Sequence, residues 1–269
     1  MISLRKQVLF IVVILFLAAL ASSARAAPAG RFVSEGDAKA YLDLLAAGGH
    51  QVFAFNDLGM HCYDSDFSIF SILPLFNVVH AQVVRRGALP VILGSGDVSV
   101  FYRALRDAKG SINTTSRGKT NFWSYAQALF ALPAPLPVDT GLLGAKMPGA
   151  TNARRPFPKY DSTMKWFAAE GIPITGLDNL KKTNPYALMN IISRRYGSTE
   201  TSKLPVVVPA SPEMNCRSCH QTGSNAANQP GVAWSTDPNI DHQVRQNVLL
   251  VHDLNEATTL FQSQPVLCA

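Results

Sequence analysis

DVSVFYRAL, residues 97–105, decides the fold class of this chain. Its side chains partly alternate between apolar and polar, as they do in a strand with one buried face. Three earlier runs have the same character and are separated by turn residues: QVFAF (51–55), FSIFSIL (67–73) and NVVHAQVV (77–84). Because valine, isoleucine and phenylalanine favour strands, these runs predict an antiparallel sheet or a small sandwich.

Helical patterns lie on both sides of these strands. Ser34 and Asp37 resemble a capping box, and apolar side chains recur on one face of residues 37–47, which predicts a short helix. TNFWSYAQALFAL (120–132) predicts an amphipathic helix, and DHQVRQNVLLVHDLNEATTLFQ (241–262) predicts a longer one. NPYALMNIISRRY (184–196) fits one more strand or helix.

These patterns predict an α+β fold in several parts. Residues 27–49 form an N-terminal helix segment, and residues 50–200 form a strand-rich, sandwich-like domain. Residues 201–269 form a small module that is largely helical or irregular. Ser198 to Pro212, which is broken by prolines, is expected to be a connection leading into that module.

Residues 1–26 have the three-part layout of a secretory signal peptide. Arg5 and Lys6 give a basic start, an apolar run follows from Val8 to Ala21, and Ala24-Arg25-Ala26 forms a cleavage site. The apolar run is short for a membrane-spanning helix, although an uncleaved anchor is the alternative. We therefore expect a periplasmic or otherwise exported protein with no stable membrane span after cleavage.

The charge of the chain argues against nucleic acid as a partner. The full sequence has a formal net charge of +6, from 24 basic and 18 acidic residues. Removal of the signal segment takes away Arg5, Lys6 and Arg25 and no acid, so half of that excess is lost. The remaining charge is mild and scattered along the chain, whereas nucleic-acid binding calls for a basic patch.

NCRSCHQTG, residues 215–223, contains two of the four cysteines and one of the six histidines. Three chemistries use such a spacing: a zinc half-site, a redox dithiol and covalent attachment of haem. A structural zinc site wants four ligands, and no second cysteine pair lies nearby. A redox dithiol prefers to open a helix in a thioredoxin-like context, yet this pair follows the proline-broken stretch.

Haem attachment needs the residues that are present. Cys216 and Cys219 can each add to one vinyl group, and His220 can supply an imidazole to the iron from the same short turn. Export agrees with this chemistry, because haem is attached on the outer side of the bacterial cytoplasmic membrane. The predicted cofactor is covalently bound haem c, with Cys216 and Cys219 as the attachment sites and His220 as an axial ligand of the iron.

FNDLGMHCYDSDFSIFSILP, residues 55–74, places Met60, His61 and Cys62 side by side. One interpretation is that Met60 or His61 supplies the sixth ligand of the haem iron. A second is a separate copper site, because thioether, imidazole and thiolate are suitable donors. The third is a strand-connecting loop whose side chains are only packed and hydrogen-bonded. Acidic residues surround the trio and can serve acid–base chemistry or simply occupy turns: Asp57, Asp64 and Asp66.

The predicted helix at 241–262 offers another candidate ligand. Its apolar stripe is flanked by His252, which can reach the iron of this haem or of a neighbouring one. His242 and His80 are weaker candidates, and His50 is expected to be solvated in a loop.

Four stretches together resemble a family of exported bacterial proteins that contain c-type haem motifs: FNDLGMHCYDSDFSIFSILP, GKTNFWSYAQALF, PVVVPASPEMNCRSCHQTG and HDLNEATTLFQSQPVLCA. The resemblance covers most of the chain after the signal segment. It implies haem binding and electron transfer and brings no established reaction or substrate. In family members the stretch matching PVLCA continues through a further Cys-x-x-Cys-His, whereas this sequence ends at Ala269. We therefore expect a haem module that is truncated at its C-terminus, with a disulfide between Cys62 and Cys268 as the alternative use of the remaining thiols.

Two classes of function follow from these residues. The preferred one is a c-type cytochrome that exchanges electrons with redox partner proteins that the sequence does not identify. The alternative is a haem enzyme or sensor, peroxidase-like or gas-binding, with an open sixth position at the iron. A third and weaker interpretation makes the strand-rich domain a binding module with an accessory haem. No catalytic constellation in the sequence favours an enzyme.

Overall fold

The computed structural model describes residues 49–87, 89–199, 201–212 and 216–267. The expected signal peptide and the helix expected at 37–47 lie outside these ranges. The strands in chain order are β1 (His50–Asn56), β2 (His61–Cys62), β3 (Phe70–Ser71), β4 (Val78–Arg85), β5 (Val91–Leu93), β6 (Val98–Leu105), β7 (Arg155–Pro156), β8 (Lys159–Asp161), β9 (Trp166–Glu170), β10 (Tyr186–Arg195), β11 (Thr201–Ser211) and β12 (Val266–Leu267). The α-helices are α1 (Phe122–Leu129), α2 (Arg217–His220) and α3 (Ile240–Glu256).

Two five-stranded sheets build the strand-rich part. The first has the order β1-β4-β9-β8, and β5 pairs with the part of β4 that β9 leaves free. The second has the order β2-β11-β10-β6-β7, in which β2 runs parallel to β11 and the other pairs are antiparallel. A third pairing joins β12 to β3 in parallel.

The two large sheets share one hydrophobic core. Alternate side chains of their long strands are at most 7 % exposed and belong to a single cluster: Val52, Val79, Ala81, Val83, Val100, Tyr102, Met189, Ile191, Val206 and Val208. Helix α1 adds Phe122, Ala126 and Leu129 to this cluster. Burial of each large side chain contributes about 1.5–3 kcal/mol, so the core rather than the loops holds the sheets together.

The chain after β11 is mainly helical. Besides α2 and α3 it forms two 3-10 helices, Asn225–Ala227 and Leu260–Ser263. Its apolar side chains pack on β3 in a second, smaller cluster that contains Ile69, Phe70 and Leu249. The predicted α+β fold, strand-rich first and then helical on a small scale, is confirmed. Among the described residues, no helix has the length and apolar character needed to cross a bilayer.

The stretch expected to be a connection, Ser198 to Pro212, is largely strand β11. It forms a full antiparallel pairing with β10, so the strand-rich region continues beyond the boundary expected after residue 200. The prolines are tolerated because β2 pairs only with Ala210 and Ser211. The rest of β11 is therefore an edge, where a missing backbone N–H costs no ladder bond.

Two further expectations need correction. FSIFSIL was expected to be a strand over residues 67–73, but only Phe70–Ser71 pairs, because the Asp64 carboxylate accepts hydrogen bonds from the backbone amides of Ile72 and Leu73. His50 was expected in a solvated loop. It begins β1, is 2 % exposed, and its Nε2 hydrogen-bonds with Ser193 Oγ at 2.9 Å.

Candidate haem-attachment site

The two motif cysteines and the histidine after them lie on a single helical turn. Cys216 is the N-cap of α2, and its carbonyl oxygen accepts hydrogen bonds from the backbone amides of Cys219 at 3.3 Å and His220 at 2.8 Å. Residues at positions i, i+3 and i+4 share a helix face. Both thiols are free, with Cys216 partly buried and Cys219 exposed.

Helix α3 holds this turn in place. Asn247 is fully buried, and its Nδ2 donates to the carbonyl oxygen of His220 at 2.8 Å and to Thr222 Oγ1 at 3.1 Å. The Gln243 side chain accepts a hydrogen bond from the Thr222 backbone amide at 3.0 Å. Outside these contacts, Arg217 pairs with Asp241 at 2.8 Å on the surface. The α3 side chains therefore hold the turn through the His220 carbonyl and through Thr222. These hydrogen bonds do not use the thiols or the imidazole.

The His220 ring has no hydrogen bond to any described residue. Its Nδ1 is buried without a partner, and no contact engages its Nε2. An unpaired buried nitrogen costs free energy, and metal-binding imidazoles commonly use one nitrogen for the metal and the other for a supporting contact. The turn thus carries two free thiols and an uncommitted imidazole, which is the donor set that covalent haem needs.

A buried arginine connects this site to the strand-rich part. Arg245 is 4 % exposed, and its Nη2 donates to Ser65 Oγ at 3.1 Å while its guanidinium lies 5.9 Å above the Phe70 ring. Burial raises the pKa of the Cys216 thiol, Arg245 opposes that rise, and Asp64 adds to it. Because the thiolate is the oxidation-prone form, the raised pKa keeps Cys216 in its thiol form at neutral pH.

The segment that contains Met60, His61 and Cys62 lies beside the end of β11, from which the chain continues to Cys216. Strand β2 pairs with Ala210 and Ser211, the last residues of β11. Met60 is 39 % exposed, and His61 Nε2 donates to the carbonyl oxygen of Pro74 at 2.8 Å. This bond leaves only Nδ1 of His61 with a free lone pair. The described residues contain no group of three or more histidine, cysteine or acidic side chains arranged for a metal.

The three acidic residues of this segment are engaged in contacts. Asp64 is buried and accepts bonds from the loop that follows it, and Asp66 Oδ1 accepts from Asn121 Nδ2 at 2.5 Å. Asp57 lies 3.4 Å from Nε2 of His80, which packs against Trp166 with 4.2 Å between ring centroids. All three carboxylates therefore make structural contacts. Acid–base chemistry was the other role that the sequence allowed for them.

His252 lies on the exposed side of α3, with its side chain 45 % exposed. The hydroxyl of Thr258 donates to the carboxylate of Asp253, so the 3.2 Å contact between Thr258 Oγ1 and His252 Nδ1 has the imidazole as donor. Nε2 of His252 then keeps a free lone pair. A ring anchored through one nitrogen and open at the other is typical of a metal ligand.

The other histidines have structural contacts. His242 is placed between two carboxylates, 3.4 Å from Asp237 and 3.8 Å from Asp66. His80 and His50 are buried within the first sheet and at its start, as described above. Cys268, the expected half of a second motif or of a disulfide, lies outside the described residues, which end here at Leu267 in β12.

A surface cleft of about 580 Å³ lies elsewhere on the strand-rich part, and Asp107 and Asp178 contribute to its walls. Each carboxylate accepts two backbone hydrogen bonds from its own turn. Burial alone would raise the pKa of Asp178, but backbone hydrogen bonds from Lys182 and Leu180 outweigh it and hold the pKa below its ordinary value. These acids cap turns, so the cleft does not provide a free acid–base pair.

Comparison with known proteins identifies no relative. No family model matches the chain, and no curated protein or solved structure matches it.

Proposed function

We propose that this protein is an exported c-type cytochrome that carries electrons. One observation carries the proposal: Cys216, Cys219 and His220 present two free thiols and an uncommitted imidazole on one helical turn. In this proposal the two cysteines hold haem c covalently and His220 is the proximal ligand of its iron. When bound, haem c supplies one-electron redox chemistry.

The surrounding residues support such a site. Asn247 fixes the backbone of His220, and therefore the position from which the imidazole approaches a ligand. Covalent attachment suits an electron carrier because the cofactor cannot dissociate during redox cycling. The redox partners are other proteins that remain unidentified, and the expected signal peptide delivers the chain to the periplasm.

For a sixth ligand, His252 is favoured over the Met60-His61 pair. The Nδ1–H of His252 is anchored to Thr258, which leaves Nε2 available. His61 already uses Nε2 for the Pro74 carbonyl oxygen and would have to bind through Nδ1. Met60 is partly exposed and its thioether is the remaining option in that segment.

The test of covalent attachment is expression with the bacterial haem-attachment machinery, followed by haem staining of a denaturing gel. We expect a stained band for the wild type and none for the Cys216→Ala/Cys219→Ala double variant. Cys62→Ala is the matched control, because Cys62 is also a free thiol but lies outside the motif. An unstained wild type, or stain retained in the double variant, would contradict the proposal.

The alternative function is a haem enzyme or sensor with an open sixth position. It is favoured by the contacts of the Met60-His61 pair, since Nε2 of His61 already donates to the Pro74 carbonyl oxygen. Visible spectra separate the two functions. Low-spin features that resist carbon monoxide and disappear in His252→Ala support the carrier with His252 as ligand. Rapid carbon monoxide binding by the wild type supports the enzyme or sensor.

A further inference from the structure

The second sheet has one face in the hydrophobic core and a second face outside it. On β10 the residues Leu188, Asn190, Ile192 and Arg194 alternate with core residues, and the register aligns them with partners on both neighbouring strands. This set is called the outer face: Ser99, Phe101, Arg103, Leu105, Leu188, Asn190, Ile192, Arg194, Thr201, Lys203, Pro205 and Val207. It contains no aspartate or glutamate.

Three cations lie on the outer face in successive rows. Arg103 lies opposite Asn190, Lys203 lies opposite Ile192, and Arg194 occupies the next row. Each comes from a different strand, so folding gathers charges that are far apart in the sequence. Within the described part of the chain, none of the three side chains has an ion pair or a hydrogen bond, and Arg194 and Lys203 are exposed.

Asn190 adds a hydrogen-bonding side chain to the outer face. It is only 7 % exposed, yet its side-chain amide makes no hydrogen bond with any described residue. The polar atoms of its amide are nevertheless accessible to solvent, and the register places them between Arg103 and Pro205, where an anionic oxygen can accept from the amide nitrogen.

The end of the face remote from Arg194 is apolar and aromatic. Val207 is 42 % exposed and pairs with Leu188, and Tyr186 beyond them is 62 % exposed. Tyrosine suits a membrane–water interface because its ring is apolar and its hydroxyl is polar. Asp97 and Asp107, at the two ends of β6, accept hydrogen bonds from backbone amides of their own turns.

We propose that the outer face binds the anionic surface of a lipid bilayer, with lipid phosphates as the ligands of Arg103, Lys203, Arg194 and the Asn190 amide. The three cations lie in successive rows on one face, so a plane of phosphates can engage them together. Exposed Tyr186 and Val207 would contact the interface beside them. The proposal is independent of haem and would keep the protein at the membrane without a spanning segment.

The measurement is sedimentation with vesicles of pure phosphatidylcholine and with vesicles containing phosphatidylglycerol. Each basic residue near an anionic surface contributes about fivefold to the partition coefficient. We expect the Arg103→Gln/Arg194→Gln/Lys203→Gln variant to bind the anionic vesicles on the order of a hundredfold more weakly than the wild type. Raised salt should weaken wild-type binding because it screens these charges.

The matched control removes equal charge from other exposed positions, in the variant Arg85→Gln/Arg117→Gln/Lys165→Gln. Its N-terminal segment is the same, so any membrane contact of residues 1–26 contributes equally to both variants. Asn190→Asp keeps the side-chain shape and places a carboxylate beside Arg103. We expect it to weaken binding at least as much as the loss of one cation, with an unchanged circular dichroism spectrum.

Three results would overturn the proposal. The first is that the wild type shows no preference for anionic vesicles. The second is that the control variant loses as much binding as the outer-face variant. The third is tighter binding to an acidic polypeptide, poly-glutamate, than to the vesicles, which would assign the face to an acidic protein partner instead.

Discussion

The side-chain amide of Asn247 donates a hydrogen bond to the main-chain oxygen of His220, with 2.8 Å between Nδ2 and O. Asn247 is fully buried in α3, and its Oδ1 accepts from the backbone amide of Ser235 at 2.9 Å. One side chain therefore fixes both the turn that carries the thiols and the segment that leads into α3. The proposed iron ligand is positioned through its backbone.

Replacement of Asn247 by alanine should lower the free energy of unfolding by about 2–3 kcal/mol, because two partly buried backbone groups, the His220 carbonyl and the Ser235 amide, lose their partners. Urea unfolding followed by circular dichroism measures this loss. Asn255→Ala is the control, since Asn255 is exposed on the same helix and should change stability by less than about 0.5 kcal/mol. Equal effects of the two substitutions would show that Asn247 does not hold the turn.

Gly141→Ala should destabilise the strand-rich part by more than about 3 kcal/mol, because a Cβ there would lie 1.8 Å from the carbonyl oxygen of Gly171. Backbone atoms cannot move aside as a flexible side chain can. Gly96→Ala is the matched control, since its Cβ would meet open space. Thermal unfolding compares the two. A Gly141→Ala protein as stable as Gly96→Ala would contradict the close packing of these loops.

Lys119 predicts a pH dependence of stability. Its Nζ donates to Asn113 Oδ1 at 2.8 Å and to the Leu177 carbonyl oxygen at 3.0 Å, and burial lowers its pKa from 10.5 to about 8. Between these two pKa values the unfolded chain binds more protons than the folded one. The free energy of unfolding should therefore rise as the pH increases from about 8 to 10.5.

Urea unfolding at several pH values tests this expectation. Lys119→Met removes the titrating group and should flatten the rise, because nothing at that position then exchanges a proton. Lys165→Met is the control at an exposed lysine and should keep the wild-type profile. A Lys119→Met profile with the same rise would assign the pH dependence to another group.

In Arg245→Ala, the helical part should detach from the strand-rich part at a lower denaturant concentration than in the wild type. The substitution removes the hydrogen bond to Ser65 and the packing on Phe70, and we expect a loss of about 2–4 kcal/mol. Hydrogen exchange of α3, measured by mass spectrometry, localises the effect. Arg85→Ala, at an exposed position of β4, is the control and should leave the exchange of α3 unchanged.

The sequence predicted those elements whose pattern is local. Residues 98–105 alternate and form β6, and residues 122–129 form α1 within the stretch expected to be helical. β11 was missed because its prolines disfavour a strand in general. Their tolerance depends on which edge of the strand is left unpaired, which only the sheet order determines.

The candidate site was predictable only in part for the same reason. Cys216, Cys219 and His220 are adjacent in sequence, so their spacing alone indicates haem. The support from Asn247 and Arg245 depends on packing between distant segments. Likewise, the mild net charge gave no sign that Arg103, Arg194 and Lys203 share one face, because the sheet register brings them together.

The parallel pairing of β12 with β3 has a consequence for the order in which the protein is completed. β3 is synthesised early and β12 late, and contacts between such distant segments form slowly because a long loop must first close. The strand-rich part has its own core and can fold before that closure. What the closure completes is the small cluster in which Val266 packs with Phe70 and Leu249, while Cys219 stays exposed in the finished fold. Variants that slow the closure should therefore delay the burial of Leu249 without lowering haem incorporation.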